Sequence, residues 1–320
     1  MPDTMIEVNG LTKYYGEHLA VDNISFHVEK GEVVGFLGPN GSGKTTTMRI
    51  LTGYLPPSTG AASIAGHDTM TGSLEARRHI GYLPETVPLY TDMTVEDYLQ
   101  FLGTIRGMRG PYLQKRIDVA IERVKLGDYR KSLIHKLSKG YRQRTGLAQA
   151  ILHEPEVLIL DEPTVGIDPI QVVETRELIK ELGREQTLLL STHILPEVSA
   201  VCERVLIINE GILVAEDTPD NLAVRLRGTE QVQAEIRGPS ADVIRELRAL
   251  EGVTSARYID TATGPRYTIE SPSGNDLREK IAEMVVMHGW GLLQLSVVPM
   301  SLEEIFLELT TADDEEASAR

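Results

Sequence analysis

The chain is poor in three things, and each scarcity excludes a class of protein. A single cysteine, Cys202, occurs in 320 residues, so no internal disulfide forms and a reducing compartment fits. No apolar run approaches the roughly 20 residues that a membrane helix needs. Met1-Pro2-Asp3-Thr4 offers no basic stretch followed by an apolar one, so no secretory leader is expected. Positive charge is also scarce. Lys+Arg 32 stand against Asp+Glu 47, for a formal net charge of -15. Nonspecific nucleic-acid binding needs basic patches that displace counterions, so no nucleic-acid partner is expected. The lone tryptophan, Trp290, reads as a core residue. A hydrophobic content of 41% allows a sizeable core, and at about 100–200 residues per domain the length suggests two.

What the chain does contain is a phosphate-binding template. Gly38-Pro39-Asn40-Gly41-Ser42-Gly43-Lys44-Thr45 fits Gly, four residues, Gly-Lys-Ser/Thr with no mismatch. Glycines let the backbone turn through positive φ and bring its N–H groups against phosphate oxygens. Lys44 supplies a point charge for the β- and γ-phosphates, and the Thr45 hydroxyl is a ligand for Mg²⁺. The flanks agree: residues 32–37 read as a short buried strand, and the run from Thr46 to Leu51 as a helix start whose N-terminus faces the phosphates. A second motif is Val157-Leu158-Ile159-Leu160-Asp161-Glu162, two carboxylates ending a buried apolar strand. Ligands gather at the carboxyl ends of strands in open α/β sheets. Asp161 is assigned to the metal and Glu162 to orienting or deprotonating the attacking water.

Along the chain, residues 5 to about 220 alternate short apolar runs with helical patterns, which predicts a mainly parallel sheet with helices on its faces. Residues 157–160 and 187–191 are its clearest buried strands, and 205–214 reads as a hairpin. Between about 88 and 140 the pattern turns helical, with Thr94 as an N-cap and Val95, Tyr98, Leu99 and Leu102 on one face. Residues 226–310 form a second unit with strands at 231–237, 253–259, 266–270 and 292–298 and helices at 241–250 and 276–288. That β-α-β-β-α-β order is ferredoxin-like. A last helix is expected at 302–309, and the acidic tail 311–320 reads as disordered.

At this point the chain resembles the ATP-binding subunit of ABC transporters, over roughly residues 5–220. Leu137-Ser138-Lys139-Gly140-Tyr141-Arg142-Gln143-Arg144 resembles the family signature, with Ser138 and Gly140 at its fixed positions. Ser138 is also a helix N-cap by type. Pro163-Thr164-Val165-Gly166-Ile167-Asp168 resembles the loop through which two subunits communicate, which implies that role for Asp168. His193 matches the switch histidine, and Tyr15 the aromatic that stacks on adenine. Where the family usually has a metal-side glutamine, Ile80-Gly81-Tyr82-Leu83-Pro84-Glu85 places Glu85. The Pro-Glu form and the ferredoxin-like tail are similar to a subgroup serving separate permeases of the ABC-2 export type.

The resemblance implies an ATP hydrolase that works as a dimer of two identical copies. ATP and Mg²⁺ lie between the phosphate loop of one copy (Lys44, Thr45) and the signature of the other (Ser138, Gly140). It also implies a separate membrane permease, and hence a cytoplasmic protein peripheral on the inner face of the membrane. The rival expectation is a soluble ABC-type ATPase acting on ribosomes or DNA. Relatives of that kind carry two nucleotide domains or long coiled coils, and neither pattern appears here.

Overall fold

The computed structural model describes residues 4–219, 221, 229–261, 264–272 and 275–298. The chain separates into two compact units, Met1–Pro219 and Asp220–Arg320. The expected boundary at 225–226, the helix at 302–309 and the tail 311–320 lie outside the described residues.

The first unit is organised by apolar runs too continuous for a half-exposed strand. In β3 (Val33–Leu37), β7 (Val157–Asp161) and β8 (Thr187–Thr192) every residue is buried. Strands of that kind are stable where helices cover both sheet faces. They form a six-stranded sheet with β6 (Ile80–Leu83), β9 (Arg204–Asn209) and β10 (Ile212–Asp217), in the order β10-β9-β3-β8-β7-β6. All neighbours pair in parallel except β10, which returns antiparallel on β9 as the hairpin pattern predicts.

A second sheet was not anticipated from the alternating pattern. β1 (Thr4–Tyr15), β2 (His18–Glu29), β4 (Thr59–Ile64) and β5 (His67–Asp68) pair antiparallel in the order β2-β1-β4-β5. Ile6, Val8, Ile24, Phe26 and Val28 point into the core shared with Val34 and Phe36 of β3. The period of two is interrupted by register shifts between Val8 and Leu11 and between Leu11 and Lys13.

Helix α1 (Lys44–Leu51) leaves the phosphate loop, and α2 (Ser73–Arg78) precedes β6. In the region that the pattern marks as helical lie α3 (Val95–Ile105) and α4 (Gly110–Arg123), followed by α5 (Lys139–Ile151). The Thr94 side chain caps α3, accepting from the Asp97 N–H at 3.1 Å. Tyr98 and Leu99 of its apolar stripe are buried, as core packing requires. Helices α6 (Pro169–Gly183) and α7 (Leu195–Val201) follow β7 and β8.

In the second unit β11 (Thr229–Arg237), β12 (Ser255–Thr261), β13 (Gly264–Pro272) and β14 (Gly291–Val298) form one antiparallel sheet in the order β12-β13-β11-β14. Helices Ser240–Ala249 and Arg278–Met287 complete the ferredoxin-like order. Val232, Ile236, Leu247, Tyr267 and Ile281 are its buried core. Trp290 packs against that core and stacks on His288 with ring centroids 4.6 Å apart.

One packing detail has a pH consequence. His153 follows α5 and its Nε2 lies 3.0 Å from the Ile80 carbonyl. A carbonyl only accepts, so Nε2 carries the proton, and Nδ1 is bare and buried without a partner. Burial, with the Arg106 and Arg116 charges nearby, pushes the imidazole down to about 4. A histidine whose folded pKa is depressed binds fewer protons than in the unfolded chain. The fold therefore keeps this contribution above about pH 6.5 and loses it progressively between pH 6.5 and 4. The loss amounts to on the order of 1–3 kcal/mol. His153→Gln retains a donor for Ile80 without titrating. Its melting temperature is expected to fall less steeply over that window than the parent's, and parallel curves would refute the assignment.

Candidate functional site

Four strand ends converge at the carboxyl edge of the parallel sheet, where the sequence motifs stand. The loop after β3 folds tightly because glycines allow it. A Cβ on Gly38 would lie 2.2 Å from the Ile208 carbonyl oxygen. Gly43 has φ +105° and sits against the Ala20 carbonyl, so a side chain there would clash as well as strain. Gly211, in the turn between β9 and β10, stitches the loop down: its N–H donates to the Ser42 carbonyl (3.1 Å), and its own carbonyl accepts from the Asp22 N–H (2.8 Å).

Lys44, at the start of α1, is 5% exposed. Its ammonium donates to the carbonyls of Gly38 (2.8 Å) and Pro39 (2.9 Å) and lies 3.4 Å from Glu162 Oε1. Glu162 Oε2 in turn lies 2.9 Å from His193 Nδ1. The three side chains form a continuous chain Lys44–Glu162–His193 across the ends of β3, β7 and β8. Glu162 is held in the left-handed region at φ +49°. Such strain in a residue with a Cβ costs of order 1–3 kcal/mol and clusters at functional sites.

Asp161 is fully buried at the end of β7. Its Oδ1 accepts from the Ser191 hydroxyl (2.5 Å) and from the Thr45 hydroxyl (3.3 Å). Burial raises its carboxyl above the usual range, against the two hydroxyls and helped by the charges of Glu162 and Glu85. Oδ2 is buried and has no hydrogen-bond partner. A buried carboxylate oxygen without a partner, beside a hydroxyl and further carboxylates, calls for a hard cation. Among the described residues no cluster of three or more His, Cys, Asp and Glu side chains forms a metal cage. Mg²⁺ takes few protein ligands and completes its shell with water and phosphate.

A cleft of about 460 Å³ opens onto this row, lined by Asn40, Gly41, Gly43, Lys44, Thr45, Thr46, Glu85, Glu162 and His193 together with Tyr15 from the antiparallel sheet. Tyr15 lines it and its neighbour Tyr14 does not. Gly38 and Pro39 act through their carbonyls on Lys44, and the Ser42 hydroxyl is buried without a partner. His18, Ala20 and Val165 also line the cleft and were not singled out from the sequence. The nearest signal for His18 and Ala20 is their place just after Tyr15. The sequence marks Ser191 only as the end of a strand. In the structure its hydroxyl donates to Asp161 and accepts from the Glu162 N–H at 3.2 Å, so one side chain aligns both acids.

Ser138, Gly140 and Asp168 do not line this cleft. Ser138 caps α5, accepting from the Tyr141 N–H at 3.4 Å. Asp168 caps α6, accepting from the Gln171 N–H at 3.1 Å. The starts of the two helices pack together: a Cβ on Gly140 would lie 1.7 Å from Gln171 Oε1, and Arg144 pairs with Glu174. Lys139 lies against Gly166 in the intervening loop.

A glycine cradle on a parallel strand, a buried lysine in it and paired acids at the end of a second parallel strand two places away define a nucleotide-hydrolysing P-loop protein. A family model described as ABC transporter matches residues 21–165. The linearmycin resistance ATP-binding protein of Bacillus subtilis (strain 168) is 31% identical over 96% of this chain and 98% of its own length. The bacitracin transport ATP-binding protein of Bacillus licheniformis is 34% identical over 96% and 97%, and the Nod factor export ATP-binding protein of Paraburkholderia xenovorans (strain LB400) 34% over 97% and 98%. Among solved structures, an ATP-binding subunit of an ABC transporter superposes with a TM-score of 0.63 at 31% identity, covering 69% of this chain and 92% of that one. A dimeric ATP-binding cassette in a post-hydrolysis state bound to ADP and Pi gives 0.61 at 25% identity, covering 67% and 98%. The chain belongs to the ABC transporter ATP-binding family, and it is an ATP hydrolase. Subunits of this family work as dimers with membrane permease partners. No described helix is long and apolar enough to cross a membrane.

Proposed function

We propose that this ATPase energises a membrane exporter of the ABC-2 type whose permease is a separate chain. The supporting observation is the extent of the likeness. The linearmycin, bacitracin and Nod factor relatives align over 96–97% of the chain and so include the second unit, whereas the solved cassettes above cover 67–69% of it. Residues 1–225 serve as the ATP-binding domain, with a helical subdomain at 88–140, and 226–310 as an accessory domain. The protein works at the cytoplasmic face of the membrane, held there by the permease.

The residues take the following parts. Residues 38–46 cradle the triphosphate through backbone N–H groups and the Lys44 ammonium, and Tyr15 stacks on the base. On ATP arrival Lys44 exchanges its carbonyl partners and its contact with Glu162 for phosphate oxygens, which frees Glu162 to accept a proton from water. His193, held against Glu162, orients that carboxylate and meets the γ-phosphate. Thr45, Asp161 and Glu85 would hold Mg²⁺, which when bound offsets charge developing on the phosphates. Ser138 and Gly140 close the site from a second copy, with Asp168 beside the contact, excluding water until hydrolysis releases it.

A tagged chain isolated from detergent-solubilised membranes of its own host is expected to bring down a multi-span permease. Recovery of ribosomes or DNA in its place would overturn the reading in favour of a soluble ATPase.

A further inference from the structure

The Glu162–His193 contact joins two chain segments, and beyond the bond from the Glu162 N–H to the Ser191 carbonyl (3.1 Å) no backbone hydrogen bond among the described residues links the loop after β7 to the turn after β8. What joins them there is a side chain outside the cleft. Glu197, in the first turn of α7, is 1% exposed. Its Oε1 accepts from the Thr164 hydroxyl, two residues beyond Glu162. Its Oε2 accepts from the Thr192 hydroxyl at 3.0 Å, one residue before His193. Thr164 and Thr192 are 2% and 0% exposed, so water does not compete for either bond. Arg176 Nη2 of α6 lies 3.6 Å from Oε1 and supplies the counter-charge.

The anchor of this carboxylate is itself rigid. Val198, the next residue, is fully buried, and a Cβ on Gly35 of β3 would lie 2.8 Å from its Cγ1. The Thr192 hydroxyl also accepts from the Ile194 N–H at 3.0 Å, and the Glu197 N–H donates to the Ile194 carbonyl at 3.0 Å. The turn carrying His193 is thus closed from both sides. A buried carboxylate is costly unless each oxygen is bonded and its charge is countered. Here each oxygen is bonded, and the bonds go to the two segments whose relative placement sets the 2.9 Å contact between Glu162 and His193.

We propose that Glu197 is a positioning residue for ATP hydrolysis: it clamps the loop after Glu162 to the strand end before His193 and so fixes the base against its orienting histidine. It touches no nucleotide and acts only through Thr164 and Thr192. The inference rests on the assignment of Glu162 and His193 made above.

The test is a comparison of Glu197→Gln in the parent and in a His193→Ala background, measuring kcat and the dissociation constant for ATP. Misplacement by about an ångström at a reacting centre costs up to about 10²-fold. Glu197→Gln is therefore expected to lower kcat about ten- to hundred-fold while ATP affinity stays within about threefold. Residues acting as one unit are non-additive, so in the His193→Ala background the same change is expected to cost less than about threefold. An unchanged kcat, an equal loss in both backgrounds, or a parallel loss of ATP affinity would overturn the proposal. Should Glu197→Gln not fold, Thr164→Val and Thr192→Val each delete one arm at constant volume and face the same criteria. Glu162→Gln separates the two levels: normal turnover in that variant removes the base assignment, whereas a slow Glu162→Gln with a normal Glu197→Gln removes the clamp alone.

Discussion

Replacing Glu162 by glutamine slows ATP turnover by about 10²–10⁴-fold, the share that a positioned general base contributes, and leaves ATP bound. The substitution keeps size and shape. The new amide retains an oxygen for either Lys44 or His193, so the row across the three strand ends survives. What disappears is an acceptor basic enough to take a proton from water. The expected record is a steady-state rate near background, with nucleotide recovered as ATP after passage through a desalting column. A variant that turns over within threefold of the parent would show that the base lies elsewhere.

Lys44→Ala is expected to fail one step earlier. The parent ammonium is 5% exposed and stands between two carbonyls and a carboxylate. Among the described residues Lys44 is the one lysine or arginine lining the cleft, so truncation leaves Glu162 facing incoming phosphates without that counter-charge. Loss of one partner from a buried charge pair costs about 2–5 kcal/mol, equivalent to on the order of 10²-fold or more in affinity. Titration with a fluorescent ATP analogue measures it directly, and an unaltered dissociation constant would refute the cradle role. The two variants are expected to diverge: one binds without turning over, the other does neither.

The parts of the site that were legible in the sequence are those where chemistry restricts residue type. Only glycine tolerates Gly38 and Gly43, and a lysine, a hydroxyl and two carboxylates at fixed offsets leave few other readings. The ferredoxin-like unit was legible because strands and helices alternate cleanly between residues 229 and 298, with strand ends displaced by only a few residues. The antiparallel sheet was not anticipated. Bulges around Leu11 break the period of two in β1, and Asn23 in β2 sits at φ +46°. Ser191 and Glu197 were invisible for a different reason. Asp161 and Thr164, which they bond, lie 30 and 33 residues away, and a serine at a strand end or a glutamate at a helix start carries no local signature. The left-handed turn at Glu162 is likewise a tertiary product, held by bonds from its N–H to Ser191.

The stitch made by Gly211 has a temporal side. During synthesis the phosphate loop, residues 38–45, emerges early, but its backbone bond to this turn waits for about 170 further residues, at roughly 5–20 residues per second. The strand that carries the loop likewise waits for β8 and β9, its two neighbours. A nascent chain arrested before residue 211 would display the whole glycine-lysine motif without the backbone bond that ties it to this turn.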